Sequence, residues 1–366
     1  MEVQEGRKRK IRPSSPLFLR GEEGTLLWVK ERENGEMESG RAIVDVRSLT
    51  KVYRGRKGPL TALKDLSFQG RRGEVLGILG PNGSGKTTTI KSIATLIEFD
   101  AGEVSVMGVD VKKQPRKARS YLGAVLEGAR NVYWRLTPWE NLLYFAGLRG
   151  LTPGEIRERA RGLLDSLGLS EVSHKQVRFF SKGMQQKVAV ACAFITKPPV
   201  VLLDEPTLGL DVETARKMRS WILETAKEEG TFVLITSHDM RFIESVCHRV
   251  LILKEGRVLR EGTPESLRNL FSRKVYRIVL EEDPQEWLLA HLQPFPGFRI
   301  ERDERGGSLL FSLQDPSELY RVFALLQSAS LTLRSLDILN DDFEEVFLDI
   351  LKDGDALEST SARGEG

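Results

Sequence analysis

Gly80-Pro81-Asn82-Gly83-Ser84-Gly85-Lys86-Thr87, followed by Thr88, decides how the chain reads. The stretch fits the pattern of a phosphate-binding loop. Its glycines let backbone N–H groups turn inward and approach an anion closely. A helical stretch follows, Thr87 to Leu96, and brings the positive end of its dipole to a phosphate. Lys86 then places a point charge on the β- and γ-phosphates, and the Thr87 hydroxyl is a candidate Mg2+ ligand. The apolar run Val75 to Leu79 ahead of the loop reads as a strand, so the unit is strand, loop, helix. A Gly-rich turn with an accidental Lys-Thr arises in a chain of this length on the order of once in a hundred.

The partner of such a loop is an acidic strand tip, and Val200-Val201-Leu202-Leu203-Asp204-Glu205 supplies one. Alone, an apolar strand ending in Asp-Glu reads equally well as an ordinary turn. Beside a phosphate loop, Asp204 is placed to hold the metal through water. Glu205 is placed to orient or deprotonate an attacking water. Hydrolysis of a nucleoside triphosphate needs in-line water, Mg2+ and charge neutralisation, and these residues supply all three.

Further outward, strand-like runs at Ala42 to Val46, Leu60 to Phe68 and Tyr121 to Leu126 surround the loop. Residues 137–195 read as mostly helical. Thr137-Pro138-Trp139-Glu140 is a helix start with cap, first-turn Pro and returning Glu. Pro153 and Ser181 begin two more helices. Alternation resumes with a strand at Val200 to Leu203, a helix at Val212 to Glu229, a strand at Thr231 to Thr236 and a hairpin around Glu255-Gly256. The 200–262 portion therefore belongs with 42–126, and the helical segment is inserted between them. From about residue 272 the order changes to βαββαβ: Val275 to Leu280, Pro284 to His291, Phe298 to Glu301, Leu309 to Leu313, Pro316 to Gln327 and Leu331 to Ile338. That order points to a small ferredoxin-like domain with an extra helix at Asp342 to Leu351.

Composition sets the bounds. At roughly 150 residues per domain, 366 residues are a prior of two domains. Apolar residues make up 40% and charged residues 29%, ordinary for a globular protein large enough to bury a core without disulfides or a structural metal. The only cysteines are Cys192 and Cys247, so a disulfide framework and a cysteine zinc site are excluded and a reducing compartment is expected. No run approaches ~18 apolar residues, and residues 1–40 show no secretion-type apolar core, so neither a spanning helix nor export is expected. The net charge of +3 sits in the first dozen residues, where Arg7, Lys8, Arg9, Lys10 and Arg12 face Glu2 and Glu5. The remainder is balanced, and no nucleic acid is expected as a partner. The basic run reads as a solvated tail, with an anionic membrane surface as its alternative partner.

Over residues 42–265 the sequence resembles the nucleotide-binding subunit of an ATP-binding cassette (ABC) transporter. Besides the two motifs above, Tyr53 matches the aromatic that stacks on adenine in that family; its plain alternative is a strand-edge tyrosine. Phe180-Ser181-Lys182-Gly183-Met184-Gln185-Gln186 stands in the place of the family signature. Leu208-Gly209-Leu210-Asp211 matches the loop after the catalytic Glu, and Ser237-His238-Asp239 matches the switch His.

The resemblance implies an α/β fold: a P-loop NTPase core with an antiparallel β subdomain and an inserted helical subdomain at about 128–195. That cassette would span 41–270, between a flexible extension at 1–40 and an accessory α+β domain at 271–353, with a disordered tail at 354–366. It implies a homodimer that encloses two ATP molecules with Mg2+, each γ-phosphate lying between one copy's phosphate loop and the other's Ser181 and Gly183. His238 would contact the γ-phosphate and Asp211 the dimer seam. A separate transmembrane permease would be the partner, with the chain attached to the cytoplasmic face of the plasma membrane.

Two departures stand out. Glu127 takes the place of the usual Gln where core meets insert; a carboxylate can meet Mg2+ or water there but donates no hydrogen bond. Lys182 and Met184 replace the commonest signature residues, and Ser-Lys-Gly-Met resembles the export-type branch for drugs, lipids, polysaccharides or ions. Asp341 to Leu348 also resembles that branch, or is simply a last amphipathic helix. The alternatives are an ABC-type ATPase acting on a ribosome or chromosome, and an ATP-sensing module that does not hydrolyse.

Overall fold

Strands covered on both faces need unbroken apolar runs, and three segments have them. In the computed structural model, Val75–Leu79, Val200–Asp204 and Phe232–Ser237 are buried along their whole length. The structure describes residues 18–20, 26–28, 42–55, 58–128, 131–271, 274–303, 306–313, 317–339, 347 and 350. The three strands are neighbours in a six-stranded sheet, in the order Arg257–Gly262, Arg249–Lys254, Val75–Leu79, Phe232–Ser237, Val200–Asp204, Leu122–Val125. All pairs are parallel except the edge strand Arg257–Gly262, which folds back antiparallel.

Side chains alternate across this sheet. Leu76, Ile78, Val200, Leu202 and Leu234 face one core. Val75, Leu79, Val201, Leu203 and Ile235 face the other. The first core is closed by a second sheet in the order Gly58–Gly70, Val44–Gly55, Ala101–Val106, Val109–Asp110, which contributes Val44, Val46, Leu63, Leu66 and Val106. Its pairs are all antiparallel. The strand Val44–Gly55 runs well past the expected end at Val46. Its register shifts around Leu49, and Ser48 takes a positive φ of 49°, so the period-two pattern breaks where the strand does not. The helices Pro115–Ser120, Met240–Val246 and Pro264–Phe271 and the strands Ala101–Val106 and Val109–Asp110 were not expected from the sequence.

The second core is closed by helices. Pro138–Gly147 starts at the Thr137 capping box: Glu140 N–H donates to the Thr137 hydroxyl at 3.1 Å, and Thr137 N–H to the Glu140 carboxylate at 2.8 Å. Pro153–Ser166 and Lys182–Phe194 follow. Arg159 donates to Phe194 O and Ile195 O within the insert and ties it to the rest by pairing with Glu229 at the end of helix Val212–Glu229.

Residues 274–339 form a third sheet with a core of its own around Tyr276, Ile278, Leu309 and Phe311. The order is Arg299–Asp303, Gly306–Leu313, Lys274–Leu280, Leu333–Leu339, antiparallel throughout, with helices Glu286–Leu292 and Glu318–Ser328. This is the strand order a βαββαβ chain adopts in a ferredoxin-like unit. Beyond it, Phe347 and Ile350 are buried in the same apolar cluster as Leu267. The rest of the expected helix Asp342 to Leu351, the Asp341 to Leu348 resemblance and the tail 354–366 lie outside the described residues.

Residues 1–41 form a separate unit. Of it, Phe18–Arg20 and Leu26–Trp28 pair antiparallel; the basic run lies outside the described residues. Among the described residues no helix is long and apolar enough to cross a membrane. Cys192 and Cys247 are both free and buried, and burial pushes their thiols up, away from reactivity.

Candidate active site

Parallel strands end at the same edge of a sheet, and ligands gather there. Here the register brings Leu79 beside Ser237, Asp204 beside Thr236 and Val125 beside Leu203. The segments that follow these ends are the phosphate loop, Glu205, His238 and Glu127. Four sequence-distant segments are therefore fixed to one rim by hydrogen-bond register.

The loop is shaped by close approach. A Cβ at Gly80 would lie 2.3 Å from Leu253 O, and Gly85 has φ +109° with Leu63 Cδ2 only 2.6 Å from its missing Cβ. No other residue fits either place. Gly85 leads into helix Lys86–Ile93, whose first turn has no acidic residue and no side-chain cap. Its N–H groups remain available to an anion. Lys86 is buried and donates to Gly80 O at 2.7 Å and Pro81 O at 3.1 Å. Burial holds its ammonium below the ordinary lysine range, while the carboxylates of Glu205, Asp204 and Glu127 pull it back up. The lysine is thus a caged charge beside three acids, resting on its own loop.

Asp204 is buried. Its Oδ1 accepts from the hydroxyls of Thr87, at 3.2 Å, and Thr236, while Oδ2 is buried with no partner. A buried carboxylate oxygen without a partner is costly unless something occupies it. A divalent cation with its waters fits that need, with Thr87 as the second oxygen donor. Among the described residues no group of three or more His, Cys, Asp or Glu side chains would hold a metal by itself. The donor set therefore suits Mg2+ carried in with phosphate oxygens.

Glu205 sits at φ 52°, a left-handed conformation unusual for Glu. Its Oε2 lies 2.9 Å from His238 Nδ1 and 3.3 Å from Ser237 Oγ, the hydroxyl donating. Strain at such a position is held by its surroundings, here by Glu205 N–H donating to Thr236 O at 3.0 Å. The Glu205 side chain is almost enclosed, 11% exposed, while His238 is open to solvent at 64%.

A cavity of about 490 Å3 gathers Tyr53, Asn82, Gly83, Gly85, Lys86, Thr87, Thr88, Glu127, Glu205 and His238. Tyr53 stands at its mouth with Lys51 Nζ 5.3 Å from the ring centroid. Gly80, Pro81 and Ser84 shape the loop behind it; Ser84 Oγ is buried without a partner. Ser181, Gly183 and Asp211 do not line this cavity. Ser181 caps helix Lys182–Phe194, accepting from Met184 N–H at 3.2 Å. Asp211 caps Val212–Glu229, accepting from Thr214 N–H at 2.8 Å, which holds its carboxyl below the usual range. Gly183 packs against Leu210 and the Gly209 carbonyl. A second cavity of about 590 Å3 opens between core and insert and shares Glu127 and Glu205 with the first.

Thr236 was not singled out from the sequence, and Ser237 was named only as the residue before His238. The signal lay in register: Thr236 is the neighbour of Asp204, and Ser237 precedes the switch-position His.

Comparison with known proteins bears on the family and the fold. The family model described as "ABC transporter" matches residues 63–208. "ABC transporter ATP-binding protein NatA" of Bacillus subtilis is 37% identical over 225 residues, 62% of this chain and 91% of that protein. "Daunorubicin/doxorubicin resistance ATP-binding protein DrrA" of Streptomyces peucetius is 32% identical over 311 residues, 83% of this chain and 91% of its own length. Among solved structures, an ATP-binding subunit of an ABC transporter superposes with a TM-score of 0.57 at 33% identity, covering 63% of this chain and 93% of that one. The dimeric cassette MJ0796 in a post-hydrolysis state with ADP and Pi gives 0.56 at 29%, covering 60% and 98%.

Proposed function

The chain belongs to the ATP-binding subunits of the ABC transporter family and is an ATPase of that family; from that premise we propose that it hydrolyses MgATP at the Gly80–Thr88 rim to power export through a separate transmembrane permease. The observation that carries this reading is Asp204. One of its oxygens is bound to Thr87, directly after the loop lysine, and the other is buried and unanswered.

In this reading the loop N–H groups and Lys86 hold the β- and γ-phosphates, Lys86 leaving the Gly80 and Pro81 carbonyls. Thr87 and Asp204 hold Mg2+, which neutralises phosphate charge when bound. Tyr53 stacks on the adenine. Glu205 orients or deprotonates the water, and His238, already on Glu205, contacts the γ-phosphate. Ser181 and Gly183 lie outside this cavity because they serve the site of a second copy, with Asp211 at the seam. The geometry favours turnover over ATP sensing, since Glu205 and His238 are already paired.

Relatives named for daunorubicin and doxorubicin resistance favour export of drug-like compounds over action on a ribosome or chromosome. The site of work is then the cytoplasmic face of the plasma membrane, reached through the permease. Glu205→Gln tests the reading. The variant should bind ATP with unchanged affinity, turn over about 10²–10⁴-fold more slowly and accumulate as an ATP-bound dimer. Full activity would remove Glu205 from its role.

A further inference from the structure

The strand Leu122–Val125 ends one residue before Leu126, yet Leu126 is still paired. Its partner is a side chain. Leu126 N–H donates to Asn131 Oδ1 at 3.1 Å, and Asn131 Nδ2 donates back to Leu126 O at 2.6 Å. The amide thus stands in for the backbone of a neighbouring strand and adds one rung beyond the sheet. The same Nδ2 donates to Gly128 O at 2.9 Å, where the chain turns at φ +109°. The carbonyls on both sides of Glu127 are therefore tied to one nitrogen. Between them, Glu127 lines the cavity that holds Lys86, Thr87 and His238. Asn131 itself lines the cavity between core and insert, and also a separate groove of about 250 Å3 with Leu122, Phe145 and Arg149.

We propose that Asn131 is a positioning residue: its amide fixes the backbone on either side of Glu127, and so sets where that carboxylate stands relative to Lys86 and Thr87. The assignment rests on the ATPase reading of this rim. Chemistry requires an amide here. The site asks for one acceptor and two donated hydrogen bonds from a short side chain, which Asn provides. An Asp would set a carboxylate against two carbonyl oxygens.

The test uses Asn131→Ala and the size-matched Asn131→Asp in the full chain, alone and combined with Glu127→Ala. In the absence of nucleotide, amide exchange at Leu126 should speed up about tenfold or more in both variants, reporting loss of the clamp. In the ATPase assay, kcat should fall about tenfold and half-saturating Mg2+ should rise, as for other residues that orient a ligand. The ATP concentration at half-maximal rate should stay within twofold. In the Glu127→Ala background the same substitutions should change kcat by less than twofold, because the residue they position is gone. Unchanged exchange at Leu126, or an equal loss of kcat with and without Glu127, overturns the proposal. Unchanged ATP binding and turnover in Lys86→Ala would instead sink the ATPase reading of this rim, whatever Asn131 does.

Discussion

The central parallel sheet and the antiparallel sheet of residues 274–339 are built from similar apolar strands, but the candidate site gathers at the first. In the parallel sheet the inner strands all end at one rim, so loops accumulate there. Those loops hold what folding alone would remove: an unpartnered Asp204 oxygen, a caged Lys86 and Glu205 at positive φ. In the antiparallel sheet successive ends point in opposite directions. Its alternation sends Tyr276, Ile278, Leu309 and Phe311 into a core of their own. The difference teaches that direction of strands, more than their composition, decides where a site forms. Substitutions at the rim should therefore cost function, and substitutions in the 274–339 core should cost stability.

The largest effect should come from Lys86→Ala, which removes the one lysine or arginine that lines the rim cavity among the described residues. ATP affinity should fall by about 2–5 kcal/mol, read by nucleotide titration, and ATP should no longer raise the melting temperature. Wild-type affinity should also weaken on the alkaline side. Lys86 binds phosphate when charged, its pKa is lowered by burial, and the charge is lost as pH rises through that lowered value. Unchanged binding in Lys86→Ala would contradict the phosphate-loop assignment.

Next comes Phe311→Ala, which opens the core where Phe295 and Phe298 rings pack 6.0 and 5.4 Å away. It should cost about 3–5 kcal/mol of that core's stability, measured by denaturant unfolding, while turnover per folded molecule stays within twofold. A collapse of turnover would show that the two regions are not separable.

Thr236→Val is smaller. It removes a buried hydroxyl from Asp204 Oδ1 and should cost about 1–3 kcal/mol, appearing as a higher half-saturating Mg2+ concentration for ATP hydrolysis. If only stability changes, Thr236 is a scaffold residue. Smallest is Glu127→Gln, which keeps the side-chain length and an oxygen acceptor on the clamped backbone, and is expected to leave the ATPase of the isolated chain within a few-fold. A collapse there would make Glu127 a direct holder of the metal.

Much of this was legible in the residues. Helix Val212–Glu229 was read end to end because Asp211 caps it and Gly230 stops it in a left-handed turn. Val75–Leu79 and Val200–Asp204 were legible because full burial leaves no polar break. The β subdomain was harder. Ser48 at positive φ and the register shifts near Leu49 hide the length of strand Val44–Gly55, and Ala101–Val106 alternates with Gly, Glu and Ser. Lys86, Thr87, Asp204 and Glu205 could be named from local motifs. Thr236 and Asn131 could not, because each acts by meeting a segment that only strand pairing or the turn at Gly128 brings near. Contiguous motifs speak for themselves; contacts made through register do not.

The most direct test is a crystal structure of the chain with Mg2+ and a non-hydrolysable ATP analogue. The account predicts phosphates on the Gly83–Thr88 N–H groups, Mg2+ between Thr87 and Asp204, and Lys86 Nζ moved from the Gly80 and Pro81 carbonyls to the phosphates. A nucleotide bound elsewhere, with Lys86 still on those carbonyls, would contradict it.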